Sequence, residues 1–291
     1  MGPKATSGVA LLLSLAREQL REIQARELAN TLCAVSKLGV YEPALVGALV
    51  SEARAKLSSF KAQELANTAY ALAKLGHEDK AFMCVLLDTA SNKLSSFNEQ
   101  ALENILWAIA KMGHRDESFV NQLLVAAAPK LSGFTAQALG NTAWALATMG
   151  HKDAACIGAL LVVAEAKLSS FKPQEVSNTL WALATLGYKD AAFTGALLVA
   201  AEPKVPTFNT QNIANMLWAL ATLDYHDAAF MDALLVVAES KLPSFTAQNL
   251  ANSMWALATL DYHDVEFVRA LLAAAKPKLA SCNAQTLATT A

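Results

Sequence analysis

The chain has 291 residues, 54% of them hydrophobic, and a formal net charge of -2. This charge argues against a protein that holds nucleic acid mainly by a basic excess, although it leaves room for a basic stripe on one face. No apolar run reaches the ~18 residues that suggest a membrane span, so we expect no membrane partner. The four cysteines lie far apart and lack histidines at ligand spacing, which predicts no disulfide framework, no metal site and no cofactor.

One aromatic residue sets a repeat that fills the chain. Phenylalanines recur every 37 residues from Phe60 to Phe245, and one further step in each direction reaches Ile23 and Cys282. We therefore expect 1–291 to be a single helical-repeat domain. Its seven full repeats are 23–59, 60–96, 97–133, 134–170, 171–207, 208–244 and 245–281, and its partial repeats are 5–22 and 282–291. The apolar stretch Val9 to Ala16 falls in register with this repeat, and no targeting signal is visible.

Each repeat, numbered from its Phe as position 1, predicts two helices. Apolar residues at threes and fours from position 3 to position 16 indicate the first helix, which glycine or aspartate at position 17 should end. An acidic residue at position 20 should cap the second helix. Prolines at position 33, such as Pro203, should end it near position 31 or 32. The predicted fold class is all-α, an α-solenoid of helix-turn-helix repeats with a right-handed superhelix expected.

Two stripes run along the first helix. Positions 4, 8, 11 and 15 are nearly constant, with Gln, Asn, an aromatic residue, and Lys or Thr. The Asn ladder comprises Asn30, Asn67, Asn104, Asn141, Asn178, Asn215 and Asn252. Positions 5 and 9 vary. Their residues are Glu27, Thr31, Glu64, Thr68, Ala101, Ile105, Ala138, Thr142, Glu175, Thr179, Asn212, Met216, Asn249 and Ser253.

A constant stripe beside a variable one suits a polymer ligand with a uniform backbone and changing side groups. Helical repeats that read RNA use two or three side chains per base. We therefore predict that positions 5 and 9 read bases, about one base per repeat over roughly seven or eight nucleotides. The Asn and Gln ladders have an equal alternative in hydrogen bonds between repeats, and the aromatic residue at position 11 has an alternative in core packing.

A lysine follows the second helix of each repeat at position 34, and we predict that it contacts phosphate. The alternative is a structural role at the helix C-terminus or opposite the acid at position 20. These residues are Lys56, Lys93, Lys130, Lys167, Lys204, Lys241 and Lys278. No catalytic triad or glycine-rich phosphate loop appears, and a residue that recurs in every repeat is poorly suited to a single active site, so we expect no enzyme.

The 37-residue unit F-x-x-Q-x-L-A-N-T-x-W-A-L-A-x-L-G resembles the heptatricopeptide and octotricopeptide repeats, helical-hairpin arrays of organelle RNA-binding proteins that often carry a RAP domain. The resemblance implies sequence-selective binding of single-stranded RNA in a mitochondrion or plastid. It implies a role in RNA processing, stability or translation, with other proteins of an RNA-processing or ribosomal assembly as further partners.

Two other functions fit the same pattern. One is a peptide-binding scaffold, since armadillo arrays also line a groove with Asn and Trp. In those arrays, however, Trp precedes Asn by four residues, whereas here Trp follows Asn by three. The other is a structural component of a large assembly such as an organelle ribosome. Lysines at position 34 facing the ligand would favour RNA, and an inward cluster of Glu27, Glu64 and Glu175 would favour a basic peptide.

Overall fold

The structure is a computed structural model that describes residues 21–39 and 41–281. The predicted partial repeat 282–291 lies outside the described residues, as does the partial repeat 5–22 except for Arg21 and Glu22. The superhelix handedness and the repeat boundaries stay predictions.

The described residues form fourteen α-helices and no strand, with two helices per repeat. In chain order they are α1 Ala25–Leu38, α2 Pro43–Lys56, α3 Ala62–Leu75, α4 Lys80–Ser91, α5 Glu99–Lys111, α6 Glu117–Ala127, α7 Ala136–Met149, α8 Ala154–Glu165, α9 Pro173–Leu186, α10 Ala191–Ala201, α11 Thr210–Leu223, α12 Ala228–Lys241, α13 Ala247–Thr259 and α14 Val265–Ala275. A 3₁₀ turn closes each repeat: Leu57–Ser59, Leu94–Ser96, Ala128–Gly133, Leu168–Ser170, Glu202–Thr207, Leu242–Ser244 and Lys276–Ser281.

The predicted helix ends are confirmed at position 17. Gly76 and Gly187, for example, adopt left-handed φ angles of 66° and 69°, a conformation that glycine enters without steric cost. Asp224 and Asp261 take the same role with φ angles of 57° and 52°, as expected for a residue type that tolerates this region.

The predicted start of the second helix is confirmed for the aspartates at position 20. The side chain of Asp190, for example, accepts a hydrogen bond from the backbone N–H of Phe193 at 3.0 Å. Glu42 differs, because it makes no such bond and α2 begins instead at Pro43, whose fixed φ suits a first turn. Prolines at position 33 also act as predicted, and the α-helix before Pro203 ends at Ala201.

The chain divides into two compact units between Gly133 and Phe134, which is a predicted repeat boundary. In the N-terminal unit the first helices α1, α3 and α5 stack in series, and each also packs on the second helix of its own repeat. In the C-terminal unit α7, α9, α11 and α13 do the same. Paired helices stacked on their neighbours are the packing of an α-solenoid, so the predicted fold class is confirmed.

Two invariant positions hold these stacks together. Every Phe at position 1 from Phe60 to Phe245 is at most 1% exposed, and burying such a ring removes a large apolar surface from water. Alanine at position 12 is fully buried in every repeat from Ala71 to Ala256, for example at Ala182, where adjacent first helices pack. Its small side chain allows that close approach.

Candidate functional site

One face of the first helices stays accessible after the repeats stack. It consists of positions 4, 8, 11 and 15, which we call the accessible stripe. In the C-terminal unit it comprises Gln137, Asn141, Trp144, Thr148, Gln174, Asn178, Trp181, Thr185, Gln211, Asn215, Trp218, Thr222, Gln248, Asn252, Trp255 and Thr259. In the N-terminal unit it comprises Arg26, Asn30, Cys33, Lys37, Gln63, Asn67, Tyr70, Lys74, Gln100, Asn104, Trp107 and Lys111. All are exposed or half-buried except Asn104, which is buried.

Amides of the stripe bond to one another along several of the first helices. Gln211 Nε2 donates to Asn215 Oδ1 at 2.7 Å, and Gln248 bonds to Asn252 in the same way. In the N-terminal unit Asn104 Nδ2 also reaches Asn67 Oδ1 of the preceding repeat at 3.4 Å. The amide ladder therefore includes a bond between repeats while most of its members remain at the surface.

Aromatic rings form a second row within the stripe. The ring centroids of Trp181 and Trp218 lie 6.4 Å apart, and Trp218 and Trp255 are also 6.4 Å apart, with interplanar angles of 36° and 33°. In the N-terminal unit Tyr70 and Trp107 lie 4.9 Å apart. These rings are half-buried, so one part packs on the protein while another part faces solvent.

This combination suits flat ligand groups that carry hydrogen-bonding edges. Exposed aromatic faces stack with nucleobases whatever their sequence, because every base has a π-face. Carboxamides offer both donors and acceptors to the edges of such groups. The row repeats once per first helix, which fits a ligand that is itself a repeating chain.

The predicted base-reading residues at position 5 require a correction. Ala101, Ala138, Glu175, Asn212 and Asn249 are at most 8% exposed. In the C-terminal unit, Asn212 and Asn249 face the preceding repeat. Asn212 Nδ2, for example, donates to Ser177 Oγ of the preceding repeat at 2.9 Å. Side chains held in this way cannot contact a base. Only Glu64, which is half-buried, and Glu27, which is exposed, keep appreciable accessibility at position 5.

Capping explains why position 5 varies. It is the third residue of the first helix, and its side chain accepts a hydrogen bond from the backbone N–H at position 2. Glu64 and Glu175 do this where position 2 is lysine, and Asn212 and Asn249 do it where position 2 is asparagine or threonine. Position 5 is alanine at Ala101 and Ala138, where the side chain at position 2 alone caps the helix. Lysine at position 2 therefore occurs with glutamate at position 5, whereas asparagine or threonine at position 2 occurs with either alanine or asparagine.

Position 9 is also buried, which corrects the second half of the predicted reading pair. Exposure is at most 2% for Thr68, Ile105, Thr142, Thr179, Met216 and Ser253, and Thr31 of the first repeat is half-buried. Apolar Ile and Met alternate with Thr and Ser at this position because each fills space between neighbouring first helices. Variation here reflects packing.

The lysines at position 34 bind the chain's own backbone. Lys93 Nζ donates to the carbonyl oxygens of Phe60 at 2.6 Å and Ser58 at 2.9 Å. These acceptors are the first residue of the lysine's own repeat and the end of the preceding repeat. Lys56, Lys130, Lys241 and Lys278 make the equivalent pair of bonds. Lys167 reaches Phe134 O, and Lys204 reaches Leu168 O and Ser169 O. We call this contact the lysine clamp.

The clamp assigns these ammonium groups to the fold. All seven lysines are half-buried, and burial lowers the pKa of Lys204, although Glu175 acts in the opposite direction. A charged donor on two carbonyls is a strong hydrogen-bonding arrangement, and it uses two of the three N–H donors of the ammonium group. These contacts favour the structural alternative over the predicted phosphate role. In the six repeats that have aspartate at position 20, that acid caps the second helix and is not the partner of the lysine.

The helix pairs stack on their neighbours, and their amides and aromatic rings recur at the same position of each repeat. The chain is therefore a helical-hairpin repeat protein. It belongs to the family described as "Tbc2 translation factor, N-terminal domain", which it matches over residues 75–262 and again over residues 150–291. Residues 11–117 are similar to the family described as "RNA-editing substrate-binding complex 6 protein". No curated protein matches the chain.

Neither family description names the heptatricopeptide or octotricopeptide repeats, so that closer resemblance stays a prediction. The broader expectation of a helical-repeat family connected with RNA agrees with both descriptions, one of which concerns translation and the other RNA editing. Within the described ranges, no helix is long and apolar enough to cross a membrane.

Proposed function

We propose that this protein binds single-stranded RNA along the accessible stripe of each unit, and that it acts in the processing, stability or translation of RNA in a mitochondrion or plastid. One observation carries the proposal: the row formed by Trp181, Trp218 and Trp255, whose half-exposed rings recur at 6.4 Å beside a row of amides. Base stacking on such rings supplies affinity, and the amides meet base edges. We propose about one base per repeat.

The family relationships support this proposal. The family to which the chain belongs is described as a translation factor, and the second similar family is named for an RNA-editing substrate-binding complex. Translation and RNA editing are both processes that act on RNA. The proposal assigns binding, and no catalysis, to the chain, with other proteins of an RNA-processing or ribosomal assembly as further partners.

The amide row supports a second candidate, binding of an extended peptide. The side chains of Asn178 and Asn215 can pair with a peptide backbone as well as with bases, and the stripe of the C-terminal unit carries no charge that would select against a peptide. The aromatic row favours RNA because every base has a π-face that can stack on a ring, whereas an extended peptide offers such faces only at its aromatic side chains.

Binding of a random-sequence single-stranded RNA pool, with duplex RNA, single-stranded DNA and a basic peptide as competitors, tests the proposal. Changing Trp181 and Trp218 to Leu should weaken binding about tenfold per ring, since stacking contributes ~1–3 kcal/mol per base. Trp→Phe at the same two positions is the matched control and should retain most of the affinity. Absence of RNA binding, or full competition by the peptide, would overturn the proposal, and peptide binding without RNA binding would support the second candidate.

A further inference from the structure

The accessible stripes of the two units differ in charge at position 15, in the last turn of the first helix. In the N-terminal unit this position is Lys37, Lys74 and Lys111, and all three side chains are exposed. In the C-terminal unit it is Thr148, Thr185, Thr222 and Thr259. The stripe of the N-terminal unit therefore carries a row of cations that the C-terminal unit lacks.

These lysines are available to a ligand, in contrast to those of the lysine clamp. Among the described residues, none of the ion pairs or hydrogen bonds involves the ammonium groups of Lys37, Lys74 or Lys111. They stand one helical turn beyond position 11, which is Tyr70 in the repeat of Lys74 and Trp107 in the repeat of Lys111. Lys74 and Lys111 therefore lie on the same helix face as an aromatic residue, and Lys37 lies on the same face as Cys33.

Cys33 lies within reach of the charges of lysines from two successive repeats. Burial raises the pKa of its thiol, and the charges of both Lys37 and Lys74 act in the opposite direction. Cys33 occupies position 11 of the first repeat, and its Sγ contacts Asn67 O of the next repeat at 3.5 Å. The field of the lysine row thus reaches the position that the aromatic rings occupy elsewhere.

These lysines contribute little to the stability of the fold. A cation in the last turn stabilises a helix by ~0.3–1 kcal/mol through the helix dipole. However, helices that carry threonine there end in the same left-handed conformation: φ is 71° at Gly150 and 69° at Gly187, against 66° at Gly76. The helix end forms with either residue, so the lysines are free to serve a ligand.

We infer that Lys37, Lys74 and Lys111 contact the phosphates of the bound RNA, so that the N-terminal unit supplies the salt-dependent part of the affinity. The uncharged stripe of the C-terminal unit then binds mainly by stacking and amide contacts. This inference rests on the proposed RNA binding and adds to it the residues that recognise the RNA backbone. In this inference the lysines at position 15 take the phosphate role that the sequence suggested for the lysines at position 34, whose ammonium groups form the lysine clamp.

The test is the salt dependence of RNA binding by the full chain. Each phosphate contact on a single strand contributes a slope of about −0.7 to log K against log salt concentration. The variant K37T/K74T/K111T, which installs the threonine of the C-terminal unit, should therefore flatten the slope by about 2. The control K80T/K152T/K189T removes the same charge from exposed lysines outside the stripe and should leave the slope nearly unchanged.

A reciprocal variant tests the same inference by a gain of salt dependence, which a damaged protein would not show. T148K/T259K places lysine at two exposed positions of the C-terminal stripe and should steepen the slope by about 1.4. Equal effects of K37T/K74T/K111T and its control, or an unchanged slope in both stripe variants, would overturn the inference while RNA binding stands. Failure of the unmodified protein to bind single-stranded RNA would instead overturn the proposed function.

Discussion

The N-terminal and C-terminal units share one scaffold and differ on one face. Phe97 and Phe208 are both fully buried, and Lys93 and Lys241 both clamp the backbone of their own repeat. Along the accessible stripe, by contrast, Lys111 in one unit corresponds to Thr222 in the other. Residues that build the repeat are therefore the same in both units. The fold does not require a particular residue at position 15, and the two units can differ in function there.

Substitution of the buried phenylalanines should have the greatest effect on stability, and it tests whether the scaffold is equivalent in the two units. Phe97→Ala and Phe208→Ala should each lower the free energy of unfolding by about 3–5 kcal/mol, because each leaves a cavity at a fully buried site. Urea denaturation followed by circular dichroism measures this. A cost below about 1 kcal/mol in one unit only would show that the two scaffolds are not equivalent.

The lysine clamp should give an intermediate effect that is also equal in the two units. Lys93→Met and Lys241→Met keep the aliphatic stem but remove a charged donor from two carbonyls, which should cost about 1.5–3 kcal/mol of unfolding free energy. The salt slope of RNA binding should stay the same. Lys111→Met is the matched control, with little loss of stability and a flatter slope. A flatter slope in either clamp variant would return position 34 to phosphate contact.

The smallest effect concerns position 5. Asn212→Ala converts the start of α11 into the pattern of α5, where Asn98 caps the helix and Ala101 follows. It removes the bonds to Asn209 N and Ser177 Oγ, and we expect a loss of about 1 kcal/mol of unfolding free energy. Selection from a randomised RNA pool should return the same preferred sequence. A changed preference would show that position 5 reads bases after all.

Local features of the fold could be predicted from the sequence because short-range chemistry fixes them. The left-handed residue at position 17, the aspartate cap at position 20 and the end of α10 before Pro203 each depend on neighbours within one helical turn. The left-handed residue recurs in all seven repeats, the aspartate cap in six and the proline in three, and this recurrence made the pattern clear.

The accessible face could not be predicted in the same way. Positions 4, 8 and 11 and positions 5, 9 and 12 form adjacent stripes on one helix, and only stacking decides which of them is covered. The pairing of Lys61 with Glu64 and of Lys172 with Glu175 was a signal within the sequence that position 5 caps the helix where position 2 lacks a capping side chain. The lysine clamp left no such signal, because Lys93 and its acceptor Phe60 lie 33 residues apart.

The lysine clamp also limits how such an array can change its length in evolution. The ammonium group of Lys93 must return to the carbonyl of Phe60, at the point where the preceding repeat ends. One residue inserted into α4 would turn the lysine about 100° around the helix axis, away from its acceptors. Gain or loss of whole 37-residue units preserves every clamp, and this explains why the spacing of the phenylalanines from Phe60 to Phe245 contains no insertion.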